Sequence, residues 1–425
     1  MSFDVRAVRE RFPALKAGYA HFDGPGGSQV PDVVADAVAR TLTSALATRG
    51  TVTAAERAAD DVVLGARAAT ADLLGADPRG VVFGRSMTQL TFDMARTLAA
   101  GWRPGDEVVV TRLDHDANIR PWVRAAEAVG AVVRWADFDP GTGDLTEDDV
   151  AAVLSPRTRL VAVTAASNLI GTRPPVRAIS DLAHAAGALT YVDGVHYSAH
   201  VGVHVDELGA DFYVCSPYKF LGPHCGVLAA DPALLETLHP QKLLPSSDAV
   251  PERFELGTLP YELLAGTTAA IDFLADLTSR AGPGGATRRA RLLASMEAVQ
   301  EHEDGLRHRI EEGLAALPGV TVHSRAPLRT PTLLVTIAGR EPAAAYRFLA
   351  GLGVHAPASS FYALEASRRL GLGDGGALRI GLAPYVDDSD VDRLFDGLSA
   401  FLGSAVGSDI GSADATGATL NSGGR

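Results

Sequence analysis

Two ionisable residues sit just past short apolar runs. Asp193 closes "LTYVD" (189–193), and Lys219 follows "DFYVC" (211–215) within "DFYVCSPYKFLGPHCG" (211–226), 26 residues further on. A lysine amine can form an imine with an aldehyde. A carboxylate beside it can keep a heterocyclic nitrogen protonated, which makes the attached ring an electron sink. These are the needs of pyridoxal phosphate, together with backbone donors or a helix N-terminus for its phosphate. "GRSMTQLTF" (84–92) follows an apolar run and opens a helical pattern, so it meets the third need, and Ser216 near Lys219 adds a hydroxyl.

The elements that must position these groups are legible as alternating patterns. Seven short apolar runs occur between 81 and 230: "VVF", "EVVVT", "AVVRWADF", "RLVAVTA", "LTYVD", "DFYVC" and "GVLAA". Most are too apolar to have a wet face, as strands covered on both sides are. Helical stretches at 88–100, 119–130 and 175–187 separate several of them. The alternation predicts an α/β domain with a mostly parallel seven-stranded sheet. Such sheets bind ligands outside the carboxyl ends of their strands, where Asp193 lies and beyond which Lys219 follows.

A second unit begins after "SRAGPGG" (279–285). It reads as a long helix, a strand "TLLVTIAG", a helix "EPAAAYRFLAGLG", a strand "GALRIGLAPY" (376–385) and a last helix over 388–402. Leu306, Ile310, Leu314 and Leu317 recur at helical spacing, and Asp388 or Ser389 is the expected cap of the last helix. The division expected is an N-terminal segment over 1–20 packed on the smaller domain, a large domain over 21–280, a smaller C-terminal α/β domain over 285–402 and a disordered tail over 403–425. The tail is rich in Gly, Ser and Ala.

Composition excludes several classes. The chain has 425 residues, 47% of them hydrophobic and 21% charged, with a formal net charge of -13. That suits a soluble globular protein. No basic block suggests nucleic acid, and no run of apolar residues suffices to span a membrane. The two cysteines, Cys215 and Cys225, cannot form a disulfide scaffold and fit a cytoplasmic setting. The start, "MSFDVRAVRERFPAL", does not read as a signal peptide. "FDGPGGSQ" (22–29) has glycines without the dinucleotide-binding spacing, and no G-x-x-x-x-G-K-[ST] occurs. The histidines at 184, 196, 200, 204 and 224 invite zinc, but no C-x-x-C or H-E-x-x-H accompanies them, so no metal is expected.

Several stretches in order, "FGRSMTQ", "TRLDHDANIRPW", "AASNLIG", "YVDGVHYSAH", "SPYKFLGPHCG", "RFELGTLPYE" and "LRIGLAPY", resemble the class V aminotransferase superfamily of fold type I pyridoxal phosphate enzymes. The likeness is nearest to the cysteine desulfurase-like branch and spans roughly 20–400. It implies that Lys219 carries the cofactor and that Asp193 pairs with the pyridine nitrogen. His115 is similar to the histidine that stacks on the ring and relays protons, and Asn168 to the asparagine near the phenolic oxygen. Met87, Thr88 and Ser216 fall where the family holds the phosphate, though many relatives have two threonines where this chain has Met87 and Thr88. Thr258 resembles a residue that reaches the neighbouring subunit's phosphate, which implies a homodimer. Arg379 resembles the arginine that clamps the carboxylate of an amino-acid substrate, a task suited to its planar fork.

Two departures stand out. His196 occupies a position where desulfurases commonly carry glutamine beside the phenolic oxygen. The stretch "GVHAPASSFYALEAS" (353–367), where desulfurases present a nucleophilic cysteine, contains none, and Ser359 and Ser360 cannot carry persulfide sulfur. Cys215 and Cys225 read as core residues. The expected activity is a desulfurase-like C–S or β-elimination lyase acting on a small amino acid after removal of its α-proton. Transamination, and racemisation or epimerisation, stay open as alternatives. A non-enzymatic role is disfavoured because the lysine and aspartate are both present. Phe361 and Tyr362 are candidates to line the substrate pocket.

Overall fold

The computed structural model describes residues 3–278 and 286–404. The expected break at 279–285, and all but the first two residues of the expected tail, lie outside the described residues. Seven strands form the larger sheet: β1 (Val81–Gly84), β2 (Glu107–Thr111), β3 (Val132–Ala136), β4 (Thr158–Thr164), β5 (Leu189–Asp193), β6 (Phe212–Cys215) and β7 (Gly226–Ala230). Their order across the sheet is β1-β7-β6-β5-β4-β2-β3.

The pairs joining β3, β2, β4, β5 and β6 are parallel, whereas β7 runs antiparallel to both neighbours. The cause is the connection. Helices Met87–Ala99, Arg120–Val129 and Val176–Ala185 provide crossovers elsewhere. Between β6 and β7 there are only residues 216–225, too few for a crossover helix but enough for a reversal. Lys219 sits in that reversal.

Successive residues of a strand point to opposite faces, and here both faces are covered. Val109, Val161, Val192 and Tyr213 join one buried cluster. Their neighbours Val108, Leu160, Tyr191 and Phe212 join the other. The edge strand β3 differs, with exposed and half-buried residues alternating over its first four positions.

A smaller antiparallel sheet has the order β10-β11-β9-β8, from β8 (Val320–Val322), β9 (Thr332–Ile337), β10 (Ala358–Ser359) and β11 (Ala377–Gly381). The helices Arg288–Ala316, Pro342–Gly351 and Asp388–Gly403 accompany it in sequence. The expected cap of the last helix needs correction. Asp387 is the N-cap, its carboxylate accepting from the N–H groups of Ser389 and Asp390 at 3.0 and 3.1 Å, and Asp390 closes a capping box. Asp388 and Ser389 therefore lie inside the first turn.

Helices Asp32–Leu42, Ala54–Leu74 and Tyr261–Ala275 lie outside the stretches that the sequence pattern marked as helical. The N-terminal helix Val5–Glu10 is tied to the far end of the chain. Arg9 pairs with Asp387 at 3.1 Å and with Asp390 at 2.5 Å. Residues Ala20 and His21 then pair in parallel with Val354 and His355. Among the described residues, no helix is long and apolar enough to cross a membrane.

Candidate active site

The carboxyl ends of β4, β5 and β6, the start of helix Met87–Ala99, and residues beside and within the smaller sheet surround a cavity of about 650 Å³. Lys219, Asp193, His115, Asn168, His196, Met87, Thr88, Ser216 and Arg379 all line it. Residues that are more than 290 positions apart in sequence are thus brought to one chamber. Thr258 is the exception. It is exposed and lines a separate cavity of about 220 Å³, together with Cys225.

Asp193 is the last residue of β5, in register with Thr164 of β4 and Val214 of β6. Its Oδ1 accepts from the N–H of Val195 at 2.9 Å. Burial raises its pKa to about 6, against that hydrogen bond and the charge of Lys219. The Lys219 amine is lowered to about 7, first by burial and then by the nearby Arg379, while Asp23 and Asp193 oppose the shift. An amine with that pKa is substantially neutral near neutral pH, the form that attacks carbonyl carbon and accepts protons. The chain has three lysines, Lys16, Lys219 and Lys242, and of these only Lys219 lines the cavity.

His115 follows Asp114 at the turn after β2. Its Nδ1 accepts from the N–H of Ala117 at 3.0 Å, which fixes the Nε2–H tautomer. Burial, then the charges of Lys219 and Arg379, lower its pKa to about 4, so the ring is neutral. His196 is buried, and Nε2 lies 2.9 Å from the Thr330 hydroxyl and 3.0 Å from that of Thr332. Burial pushes its pKa well below the ordinary histidine range.

Arg379 lies on β11 and is buried. Its Nη1 donates to the carbonyl of Asn168 at 3.0 Å, and its Nη2 to Asp23 Oδ1 at 2.6 Å. The guanidinium carbon sits 3.6 Å from the Phe361 ring centroid. Phe361 and Tyr362 both line the cavity and adopt φ of 51° and 57°, the left-handed region that aromatic residues rarely enter. Hydrogen bonds hold them there. Asn168 Nδ2 donates to the carbonyl of Phe361 at 2.9 Å, and the N–H of Asp116 to that of Tyr362 at 2.7 Å.

The start of helix Met87–Ala99 faces the same chamber. Ser86 caps it, accepting from the N–H of Gln89 through Oγ at 3.1 Å and from that of Leu90 through its carbonyl at 3.1 Å. The N–H groups of Met87 and Thr88 take no part in that cap. β7 starts hard against this helix start: a Cβ on Gly226 would lie 2.3 Å from the Ser86 carbonyl carbon and 2.5 Å from the Met87 nitrogen. Only glycine permits the approach.

Neither cysteine lines the chamber. Cys215 and Cys225 are buried, and burial raises the Cys225 thiol to about 11, with Sγ 3.5 Å from the Thr267 hydroxyl. Among the described residues, no group of three or more His, Cys, Asp and Glu side chains is arranged to hold a metal ion.

A family model described as aminotransferase class-V matches residues 20–394. The chain belongs to that family. It is 34% identical over 403 residues to an uncharacterized protein of Mycobacterium tuberculosis, covering 94% of this chain and 100% of the relative. A probable cysteine desulfurase of Pseudomonas putida is 30% identical over 411 residues, with 93% and 92% covered. The crystal structure of the cysteine desulfurase CsdA from Escherichia coli superposes with a TM-score of 0.82 at 27% identity, over 95% of this chain and 99% of that one. The fold is that of the fold type I enzymes, and the branch is the cysteine desulfurase-like one, as the sequence motifs implied.

A class V member is a pyridoxal 5'-phosphate enzyme of the lyase or transferase type. The residues of the chamber fit that cofactor. Asn168 Oδ1 and His196 Nδ1 are buried without a partner on its wall, so the wall has hydrogen-bonding capacity that the protein itself does not use. The desolvated amine, the buried carboxylate and the glycine-backed helix start complete a set that no apolar ligand would need.

The sequence reading missed two acids. Asp114 is fully buried, accepting from Asn118 Nδ2 at 2.7 Å and from the Thr111 hydroxyl. Burial raises its pKa to about 8, and the charge of Asp193 adds to the rise. Asp23 lines the chamber from the turn "DGPGG". Each stands in a quoted stretch, beside His115 and among the glycines of 22–29, and that adjacency was the available signal.

Proposed function

We propose that this protein is a lyase that cleaves a β-substituent, a C–S bond above all, from a small amino acid without forming a persulfide on the protein. The observation that carries this reading is the composition of the chamber: Lys219 and Asp193 on one side, Arg379 across from them, and no cysteine on its wall. When bound, pyridoxal phosphate supplies an electron sink for negative charge developing at the substrate's α-carbon.

Lys219 carries the cofactor and, once its amine is free, takes the α-proton at Nζ. Its lowered pKa favours the neutral base. Asp193 holds the ring N–H through a carboxylate fixed by Val195. His115, neutral and in the Nε2–H form, packs on the ring and can pass a proton from that edge. Asn168 and His196 would line the side of the phenolic oxygen, where the unpartnered His196 Nδ1 would serve as its donor. Ser216 and the N–H groups of Met87 and Thr88 hold the phosphate at the helix start. Arg379 binds the substrate carboxylate. The net change is loss of the α-proton and of a β-thiolate, and hydrolysis of the remainder gives pyruvate and ammonia.

In this reading the protein works in the cytoplasm as a homodimer, with Thr258 at the phosphate of the partner subunit. Its exposure, and its place outside the chamber of its own chain, support that assignment. A panel of amino acids followed by mass spectrometry tests the activity. Sulfide or thiol with pyruvate and ammonia is the expected outcome for a β-thio amino acid. A keto acid with a cofactor left in its amine form would make the protein an aminotransferase. Exchange of α-deuterium with inversion, and no cleavage, would make it a racemase or epimerase.

A further inference from the structure

The turn "DGPGG" (23–27) leans over both cations of the chamber. Lys219 Nζ donates to the carbonyl oxygens of Pro25 at 2.5 Å and Gly26 at 3.0 Å. Arg379 Nη2 donates to Asp23 Oδ1 at 2.6 Å, with the two side chains 2% and 44% exposed. Gly26 makes room for the carboxylate, since a Cβ there would lie 2.3 Å from Asp23 Oδ2. The turn is held by its backbone: the Asp23 carbonyl accepts from Gly26 at 2.9 Å and Gly27 at 3.1 Å, and Asp23 bridges to Gly381 just past Arg379.

We propose that Asp23 is a specificity-determining residue, an internal carboxylate that holds the Arg379 fork and competes with the carboxylate of the ligand. The proposal rests on the assignment of Arg379 to the ligand carboxylate. A guanidinium binds a carboxylate in bidentate fashion either end-on, through both Nη atoms, or side-on, through Nε and Nη2. Both modes use Nη2, the nitrogen that Asp23 holds. Nη1 already serves the Asn168 carbonyl, Nε is buried without a partner, and Phe361 covers one face. An entering carboxylate therefore meets Asp23 at the same nitrogen, and like charges there repel. Asp23 keeps affinity for simple monocarboxylates low and disfavours ligands with a second negative charge beside the first.

The test is calorimetric binding of propionate to the holoenzyme, because propionate has no amine to react with the cofactor. Asp23→Asn removes the charge at constant size and is expected to tighten propionate binding on the order of tenfold. Asp23→Ser should do the same, and it serves as the second variant if asparagine disturbs the turn. Uncharged propionamide should not respond, and Arg379→Ala should lose propionate. If Arg379→Ala binds propionate as the wild type does, the assignment of Arg379 itself is wrong. If Arg379→Ala loses binding while neither Asp23 variant binds more tightly than the wild type, Asp23 is no competitor and the inference is overturned. Absence of binding in every form overturns it as well.

Discussion

Asp193 and Lys219 are carried by adjacent parallel strands of the larger sheet, one at the end of β5 and the other in the short reversal after β6. Arg379 stands across the chamber on the smaller sheet. Its surroundings come from the 23–27 turn, from Asn168 and from two aromatic residues in left-handed conformations. Asp193 ends a hydrogen-bonded ladder and Lys219 lies in the short reversal beside it, whereas Arg379, itself on β11, is surrounded by loops, two of whose residues hold uncommon backbone states. The first arrangement suits groups that must not move while chemistry proceeds. The second suits groups that admit and select a ligand, where stored strain and exposed side chains leave room to adjust.

Replacements on the lysine side should therefore destroy chemistry, and replacements on the arginine side should change recognition. The largest effect is expected for Lys219→Ala. Turnover should fall by at least about a thousandfold, with loss of the visible band of lysine-bound cofactor. Retained turnover would move the catalytic amine elsewhere. Asp193→Asn keeps the shape and removes the charge, so a loss on the order of a hundredfold is expected, together with weaker cofactor retention on dialysis. A variant with wild-type rates would show that the ring nitrogen has another partner.

A smaller effect comes from pH. Only the neutral amine adds to a carbonyl, and the Lys219 amine is lowered to about 7. Cofactor attachment to the apo protein should accelerate about tenfold per unit below that value and level off above it. A rate that keeps rising into the ordinary lysine range would contradict the desolvated environment.

On the other side, Tyr362→Gly exchanges a strained left-handed residue for one that accepts the conformation. Strain relief and the added freedom of the unfolded chain nearly offset, so stability should change by less than about 1 kcal/mol in urea unfolding. KM should rise several-fold with kcat nearly kept. A fall in kcat with KM unchanged would place Tyr362 with the chemical groups instead. The smallest effect is expected for Cys225→Ser, which should keep most turnover, since Cys225 is buried outside the chamber. Abolished turnover in a folded variant would revive a thiol mechanism.

The same contrast governs what the sequence made legible. Asp193 and Lys219 could be found because apolar runs mark strands, and strand ends mark ligand sites in parallel sheets. The β1–helix junction at Met87 and Thr88 was legible for the same reason. The order of the sheet was not, because the position of β7 between β1 and β6 depends on pairing far apart in sequence. Helix Ala54–Leu74 escaped notice because four of its nine buried residues are alanines, Ala59, Ala66, Ala69 and Ala71, and two more are Arg67 and Thr70, which leaves a weak apolar stripe. It packs on Tyr261–Ala275, which in turn packs on Asp32–Leu42. Asp23 was hidden in a glycine-rich turn, and its role depends on Arg379, 356 residues later. Left-handed Phe361 and Tyr362 could not be anticipated, since that region favours glycine and asparagine. Tertiary hydrogen bonds from Asn168 and Asp116 override the local preference.

The central claim is that Lys219 alone carries the cofactor in a chamber closed by Asp193. Borohydride reduction of the holoenzyme, followed by peptide mass spectrometry, tests it directly. The chain has only Lys16, Lys219 and Lys242 to choose from. The pyridoxyl phosphate adduct should be found on the peptide containing Lys219 and on neither of the others. An adduct on Lys16 or Lys242 with Lys219 unmodified, or no adduct after saturation with pyridoxal phosphate, would contradict it.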